Sequence, residues 1–244
     1  MICFFSAGHS PAMPYAIQGL KTQFSVSSAI NEHISHLLLP VPSFDGAGYL
    51  KGGGSLPHLL KKLPADITVI GGALTHPALD GYSTIDLLDD PMFLAENANI
   101  TAHCAVGRAM QALPLTMEDS RVLILGWGRI GKCLALLLKR MGAEVSVAAR
   151  KETDLAMAAS LGFTGIPFQQ AQYQLCDIVF NTIPVPVLTE LFGNPIKIDL
   201  ASCKSIPGED VIWARFLPAA DAPASTGRLI ARTIGRILDK EVIT

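Results

Sequence analysis

An apolar run of strand length that feeds directly into spaced glycines leaves a chain few folds to choose from. Here Arg121-Val-Leu-Ile-Leu runs into Gly126-Trp-Gly128-Arg-Ile-Gly131, and an apolar helical pattern follows. Each glycine has its own physical task. Gly126 permits the tight turn, Gly128 lets backbone approach a pyrophosphate, and Gly131 lets the helix pack closely on the strand. Phosphates would then meet the free N–H groups of Arg129, Ile130 and their neighbours, where the helix dipole favours negative charge. A second strand, Glu144 to Ala149, supplies the rest of the context. The segment is therefore read as a dinucleotide-binding turn. The alternative is a Rossmann-like fold whose glycines only shape the turn.

Which dinucleotide is decided at the end of that second strand. NAD-preferring domains place an acid there for the ribose 2′-OH, roughly 20 residues past the first glycines. This strand ends Ala148-Ala149-Arg150-Lys151, with no acid at its tip. A carboxylate repels a 2′-phosphate, whereas Arg and Lys attract it. Arg150, with Lys151 beside it, favours NADP over NAD. Arg150 stacked on adenine, or merely solvated, is the alternative.

Length and composition bound the remainder. The 244 residues suffice for one large or two small domains and a sizeable core. Half are hydrophobic and only 16% are charged, against roughly 25% in an average domain. Mean hydropathy is +0.38. Such an apolar chain is expected to bury an oligomer interface as well as a core. No apolar run reaches the roughly 18–20 residues of a membrane span, and Met1-Ile-Cys-Phe-Phe-Ser-Ala-Gly lacks a basic flank for a signal peptide. A net charge of −2 gives no broad electrostatic case for nucleic acid. Cys3, Cys104, Cys133, Cys176 and Cys203 are scattered, form no C-x-x-C, and read as reduced thiols of a cytoplasmic protein.

The chain is expected to divide near residue 95. Before it, Ile2–Phe5, Ser35–Leu39 and Asp66–Ile70 read as strands, with helices at Pro11–Leu20 and Ser55–Leu63. This is a small α/β domain with a parallel sheet. Asp89-Asp90-Pro91 starts a helical connector that runs to Leu113, with room for a break. Residues 96–244 then alternate as a doubly wound Rossmann-type domain. Its strands are Val122–Leu125, Val145–Ala149, Phe163–Ile166, Ile178–Thr182, Ile196–Leu200 and Val211–Leu217. Its helices are Ile130–Met141, Asp154–Leu161, Phe168–Leu175, Val187–Leu191 and Ser225–Leu238. Gly142 and Gly162 fall where helices end.

Ligands of open α/β sheets bind beyond the carboxyl ends of the strands. That rule gathers Gly126–Ile130, Arg150, Thr182–Pro186, Ala201–Lys204 and Pro218–Asp221 into one crevice. Thr182, Ile183 and Pro184 should lie against the cofactor near the nicotinamide ribose. Pro184 and Pro186 serve equally well as a rigid turn. Asp199, inside an apolar strand, reads as a buried acceptor or as a catalytic group.

With these residues assembled, the second domain resembles the A component of dipicolinate synthase from spore-forming bacteria. The matching segments are Val122-Leu-Ile-Leu-Gly-Trp-Gly-Arg-Ile-Gly131, Gly142-Ala-Glu-Val-Ser-Val-Ala-Ala-Arg150, Asn181-Thr-Ile-Pro184, Ile198-Asp-Leu-Ala-Ser202 and Ala222-Pro-Ala-Ser-Thr-Gly227. They cover about residues 96–244. The cofactor domain is also similar to that of D-2-hydroxyacid dehydrogenases. The resemblance implies oxidation of dihydrodipicolinate, a small dicarboxylate, during sporulation, with a flavoprotein-like B-type protein for a partner. The chain departs from the pattern in a first domain that reads as shortened. It also carries Thr101-Ala-His103-Cys104 in place of T-x-E-G, and Cys203-Lys204-Ser-Ile-Pro-Gly208 in place of R-P-G-G. Ser225 stands where the family has lysine.

Making a pyridine from its dihydro form removes a hydride and a proton. Aromatisation drives it, so positioning can supply most of the rate. Candidate catalytic or substrate-holding residues are His103, Lys204 and Ser202, with Arg108 and the helix start at Ser225-Thr226-Gly227 as further carboxylate partners. A satisfied helix histidine and solvated surface cations are the bland alternatives. All six histidines (His9, His33, His36, His58, His76, His103) precede residue 104. A D-2-hydroxyacid dehydrogenase places its catalytic histidine late, so that reading is disfavoured. No three histidines have metal-site spacing. Two rivals stay open: a cofactor-binding regulatory or scaffold subunit without turnover, and a small dehydrogenase or reductase of another substrate. Arg228, Arg232 and Arg236 share one face of the last helix, while Ile230, Ile234 and Ile237 take another. With the low charge content, this predicts a homodimer, with or without a B-type partner.

Overall fold

The computed structural model describes residues 2–186, 191–206 and 208–243. They form two compact units, Met1–Asn97 with Pro218–Thr244, and Ala98–Leu217. The first unit is thus discontinuous. Residues 218–243 group with it; the sequence reading counted them within 96–244, with the last helix at the domain junction.

In the first unit β1 (Cys3–Ser6), β2 (Ser25–Ser27), β3 (His36–Leu38), β4 (Thr68–Gly71) and β5 (Ser83–Asp86) pair in parallel, in the order β2-β1-β3-β4-β5. This is a doubly wound order. The central strands are the three expected ones. The edge strands β2 and β5 were not foreseen, because Ser-Val-Ser and Ser-Thr-Ile-Asp sit at the sheet margins, partly exposed, and carry no apolar run. Helices α1 (Met13–Leu20) and α2 (Leu56–Leu60) fill the crossovers. Ile34, Leu37, Leu39, Leu56, Leu60, Ile67 and Val69 form the core. Each such side chain contributes about 1.5–3 kcal/mol of burial.

The connector is one unbroken helix, α3 (Pro91–Ala112), whose start is fixed by the Asp90 carboxylate accepting from Phe93 N at 2.7 Å. The last helix of the chain, α7 (Pro223–Ile243), lies so close to α1 that a Cβ at Gly227 would come within 2.5 Å of Ala12 O. Ile230 and Ile234 are buried, and Ile237 is partly buried. The arginine face is engaged within the unit. Arg236 pairs with Asp90 at 2.7 Å and Arg232 pairs with Glu96.

The second unit has β6 (Arg121–Leu125), β7 (Glu144–Ala149), β8 (Thr164–Pro167), β9 (Ile178–Asn181), β10 (Ile196–Asp199) and β11 (Ile212–Trp213), all parallel in the order β11-β10-β9-β6-β7-β8. Counted within the unit this is 3-2-1-4-5-6, the Rossmann order, with its switch point between β6 and β9. Helices α4 (Arg129–Arg140) and α5 (Glu152–Ser160) end one residue short of the C-caps that precede Gly142 and Gly162, at φ of 88° and 77°.

Three elements differ from expectation. Phe168–Tyr173 is a 3₁₀ turn that follows Pro167, not a longer helix. The strand expected over Val211–Leu217 is only Ile212–Trp213. Phe216 turns the chain at φ 57°, Arg215 stacks on Trp213 and Phe216, and α6 (Leu217–Asp221) begins. The helix expected at Val187–Leu191 lies, but for Leu191, outside the described residues. No helix among the described residues is long and apolar enough to cross a membrane.

Candidate functional site

The switch point of the second sheet opens into a cleft of about 310 Å³, lined by the turns after β6, β7 and β9. Gly126 continues β6, donating to Ala148 O at 2.9 Å, and then turns at φ 103°. A side chain there would be strained, and its Cβ would come within 2.5 Å of Thr182 Oγ1. A Cβ at Gly131 would collide with the Gly126 carbonyl oxygen, so this glycine lets α4 close onto the turn. Gly128 differs from both. It is the N-cap of α4 in extended backbone, and a Cβ on it would meet no atom within 4 Å. No side chain caps the helix. Its first-turn N–H groups have no intrahelical partner, and the space beside Gly128 is open to an acceptor.

The other walls supply charge and shape. Arg150 and Lys151, both exposed, line the cleft where β7 passes into α5. Asp154, half-buried in the first turn of α5, lines it as well. Sequence reasoning missed this acid because it looked at the strand tip, and Asp154 lies a helical turn further on. Opposite, Thr182 N and Oγ1 both donate to Leu125 O, at 3.0 and 2.9 Å, which ties the turn after β9 to β6. Ile183 and Pro184 complete that wall. Trp127 is buried, packs edge-on against Phe163 at 5.7 Å, and carries Lys132 Nζ 5.9 Å above its ring. Its indole N–H is buried with no partner among the described residues.

Of the predicted cofactor residues, Gly126, Gly128, Arg150, Lys151, Thr182, Ile183 and Pro184 line one cleft. Arg129, Ile130 and Gly131 form the helix start beside it. The cradle thus fits a dinucleotide pyrophosphate. Of the candidate catalytic residues, Ser202 and Lys204 are exposed on the turn after β10. That turn touches the cleft wall through Cys203, whose Sγ donates to Pro184 O at 2.6 Å. His103 is exposed on α3 and is not among the lining residues. Thr226 is unsuited to the proposed carboxylate role. It lies within α7, buried, with its hydroxyl donated to the carbonyls of Pro218 and Ala222. Asp199 is the buried acceptor of the two readings offered for it. Among the described residues no group of His, Cys, Asp or Glu could hold a metal ion.

A parallel sheet in Rossmann order with an open glycine at its switch point defines a dinucleotide-binding fold. Residues 107–195 accordingly match the D-isomer specific 2-hydroxyacid dehydrogenase, NAD binding domain family. Over most of its length the chain is like the A component of dipicolinate synthase. It is 25% identical over 236 residues to that component from Bacillus subtilis, covering 85% of this chain and 78% of the other. The crystal structure of the same component from Bacillus halodurans shares the fold at a TM-score of 0.85 and 22% identity, over 97% of either chain. That likeness takes in the first unit, whereas the matching sequence segments lay in residues 96–244. A transhydrogenase from Sinorhizobium meliloti shares it at a TM-score of 0.74 and 16% identity, over 98% of this chain and 94% of the other.

Proposed function

We propose that the chain is a nicotinamide-dependent oxidoreductase of the dipicolinate synthase A type, which oxidises dihydrodipicolinate to dipicolinate and prefers NADP. The observation that carries this is the Gly128 cradle at an uncapped helix start, in a chain similar along most of its length to the A component of dipicolinate synthase. Arg150 and Lys151 support NADP, because two cations against the single carboxylate of Asp154 leave the cleft net positive where a 2′-phosphate would sit.

The cofactor, when bound, supplies a hydride acceptor. The chain's own part is to hold and to orient. First-turn N–H groups of α4 hold the pyrophosphate, and Thr182–Pro184 form the wall along which the cofactor extends. Lys204 and Ser202, on the neighbouring turn, offer a cation and a hydroxyl to substrate carboxylates. The substrate loses a hydride and a proton and gains an aromatic ring, so placement carries the rate.

One observation favours a second reading, a cofactor-binding subunit without turnover of its own: the cleft lining contains no histidine, and its one carboxylate is Asp154. Purified chain mixed with NADP and dihydrodipicolinate, with and without a B-type partner, separates the two. Reduced cofactor accumulating in either mixture supports the oxidoreductase. Cofactor binding with no reduction in either supports the non-catalytic reading.

A further inference from the structure

Two polar side chains are completely buried at the carboxyl ends of adjacent strands, Asn181 closing β9 and Asp199 closing β10. They are bonded to each other. Asn181 Nδ2 donates to Asp199 Oδ1 at 2.9 Å. Each also organises its own turn. Asn181 Nδ2 reaches Ile183 O at 3.0 Å, and Asn181 Oδ1 accepts from Ile183 N at 3.1 Å. Asp199 Oδ1 accepts from Ala201 N at 3.0 Å, and Oδ2 accepts from Ser205 N at 2.6 Å and Ile206 N at 3.1 Å.

The carboxylate therefore takes three backbone N–H groups from one turn and an amide from the neighbouring strand. A short, fully buried acceptor set of this kind is costly to leave unpaired, so the turn has little freedom to open. The segment it fixes is Ala201–Ile206, which carries Ser202, Cys203 and Lys204. The segment Asn181 fixes is Thr182–Pro184, a wall of the cofactor cleft. Cys203 Sγ on Pro184 O joins the two turns a second time.

We infer that Asn181 and Asp199 are a positioning pair, which holds Ser202 and Lys204 in fixed register against the cofactor wall. The inference rests on the proposed function in taking those two residues as the substrate side. It places neither Asn181 nor Asp199 on the substrate.

The test is residue-resolved thiol labelling by mass spectrometry, run beside NADPH titration and turnover. Asp199→Asn turns an N–H₂ toward backbone N–H donors. Cys203, exposed but tied through Sγ to Pro184 O, should label measurably faster once its turn is released. Cys104 and Cys176, both buried, should not change. NADPH affinity should stay within about threefold, because the α4 end of the cleft is untouched, while turnover falls by a factor of about ten or more. If Asp199→Asn does not fold, Asn181→Ala is labelled instead, with the same expectation for Cys203 and turnover but weaker NADPH binding, because Thr182–Pro184 of the cofactor wall is released as well. Unchanged Cys203 labelling, or equal acceleration at Cys104 and Cys176, overturns the inference. A wild-type protein that binds NADPH but turns nothing over overturns the proposed reaction, while the labelling arm still decides the positioning pair.

Discussion

Gly128→Val separates the cofactor cradle from the fold more cleanly than any other substitution in the chain. The backbone at Gly128, φ −81° and ψ −169°, is extended and accessible to valine. The new Cβ meets nothing within 4 Å, so packing is undisturbed. The remaining cost is a poorer N-cap, about 1 kcal/mol or less. That lowers the melting temperature by about 2–4 °C in a chain of this size. Binding responds on another scale, since the branched side chain occupies the space from which pyrophosphate reaches the α4 N–H groups. Losing two charge-assisted hydrogen bonds, each worth about 1.5–3 kcal/mol, weakens NADPH by about 3–6 kcal/mol, or 10²–10⁴-fold. NADPH fluorescence titration and a thermal melt on the same preparation measure both effects. Gly131→Ala is the contrast. Its Cβ collides with the Gly126 carbonyl, which costs about 1–3 kcal/mol of stability, so binding and stability fall together. A Gly128→Val protein with wild-type NADPH affinity would remove Gly128 from the pyrophosphate site, and one that no longer folds would give it a structural role.

Other perturbations probe the remaining parts. Arg150→Ala should weaken NADP more than NAD, by about 1.5–3 kcal/mol if a charge-assisted contact is lost, and Asp154→Ala should shift preference further toward NADP. Equal losses for both cofactors in paired titrations would remove Arg150 from 2′-phosphate recognition. Hydrogen bonding to Arg236 holds the Asp90 carboxyl below its ordinary range, so its contribution to stability is complete above the ordinary carboxylate range and is lost as pH falls through the lower folded value. Urea midpoints should therefore drop in acid for the wild type and drop less for Arg236→Met. Burial and the neighbouring Asp177 push the Cys176 thiol up to about 12, so Cys176 should resist alkylating reagents at neutral pH while exposed Cys203 reacts. We expect a homodimer, and light scattering at micromolar concentration that gives a monomer mass, unchanged by a B-type partner, would discard that expectation.

Much of this was written in local chemistry. Val122–Leu125 running into Gly126 could be only a buried strand and its turn, and Gly142 and Gly162 end helices where a left-handed residue is needed. What escaped depended on distant partners. Ser25–Ser27 becomes a strand only because Cys3–Phe5 lies beside it to pair with. The last helix reads as part of the cofactor domain by its place in the chain, yet Gly227 docks it against Ala12 and Tyr15. At the site, the positions of Gly128 and Arg150 at the cleft were legible because backbone and charge mark them. Asp154 was not, because helix geometry brings it back to a cleft that the strand had left. The link between Asn181 and Asp199 was equally hidden. Eighteen residues separate them in sequence, and only the β9–β10 register sets them side by side.

We propose that a nicotinamide dinucleotide lies at the switch point between β6 and β9. Backbone hydrogen–deuterium exchange with and without NADPH tests it most directly. Slowed exchange is expected at Gly128, Arg129 and Ile130, at the uncapped start of α4, with the β1–β5 sheet unchanged. Saturating NADPH that leaves those amides exchanging as before would contradict it.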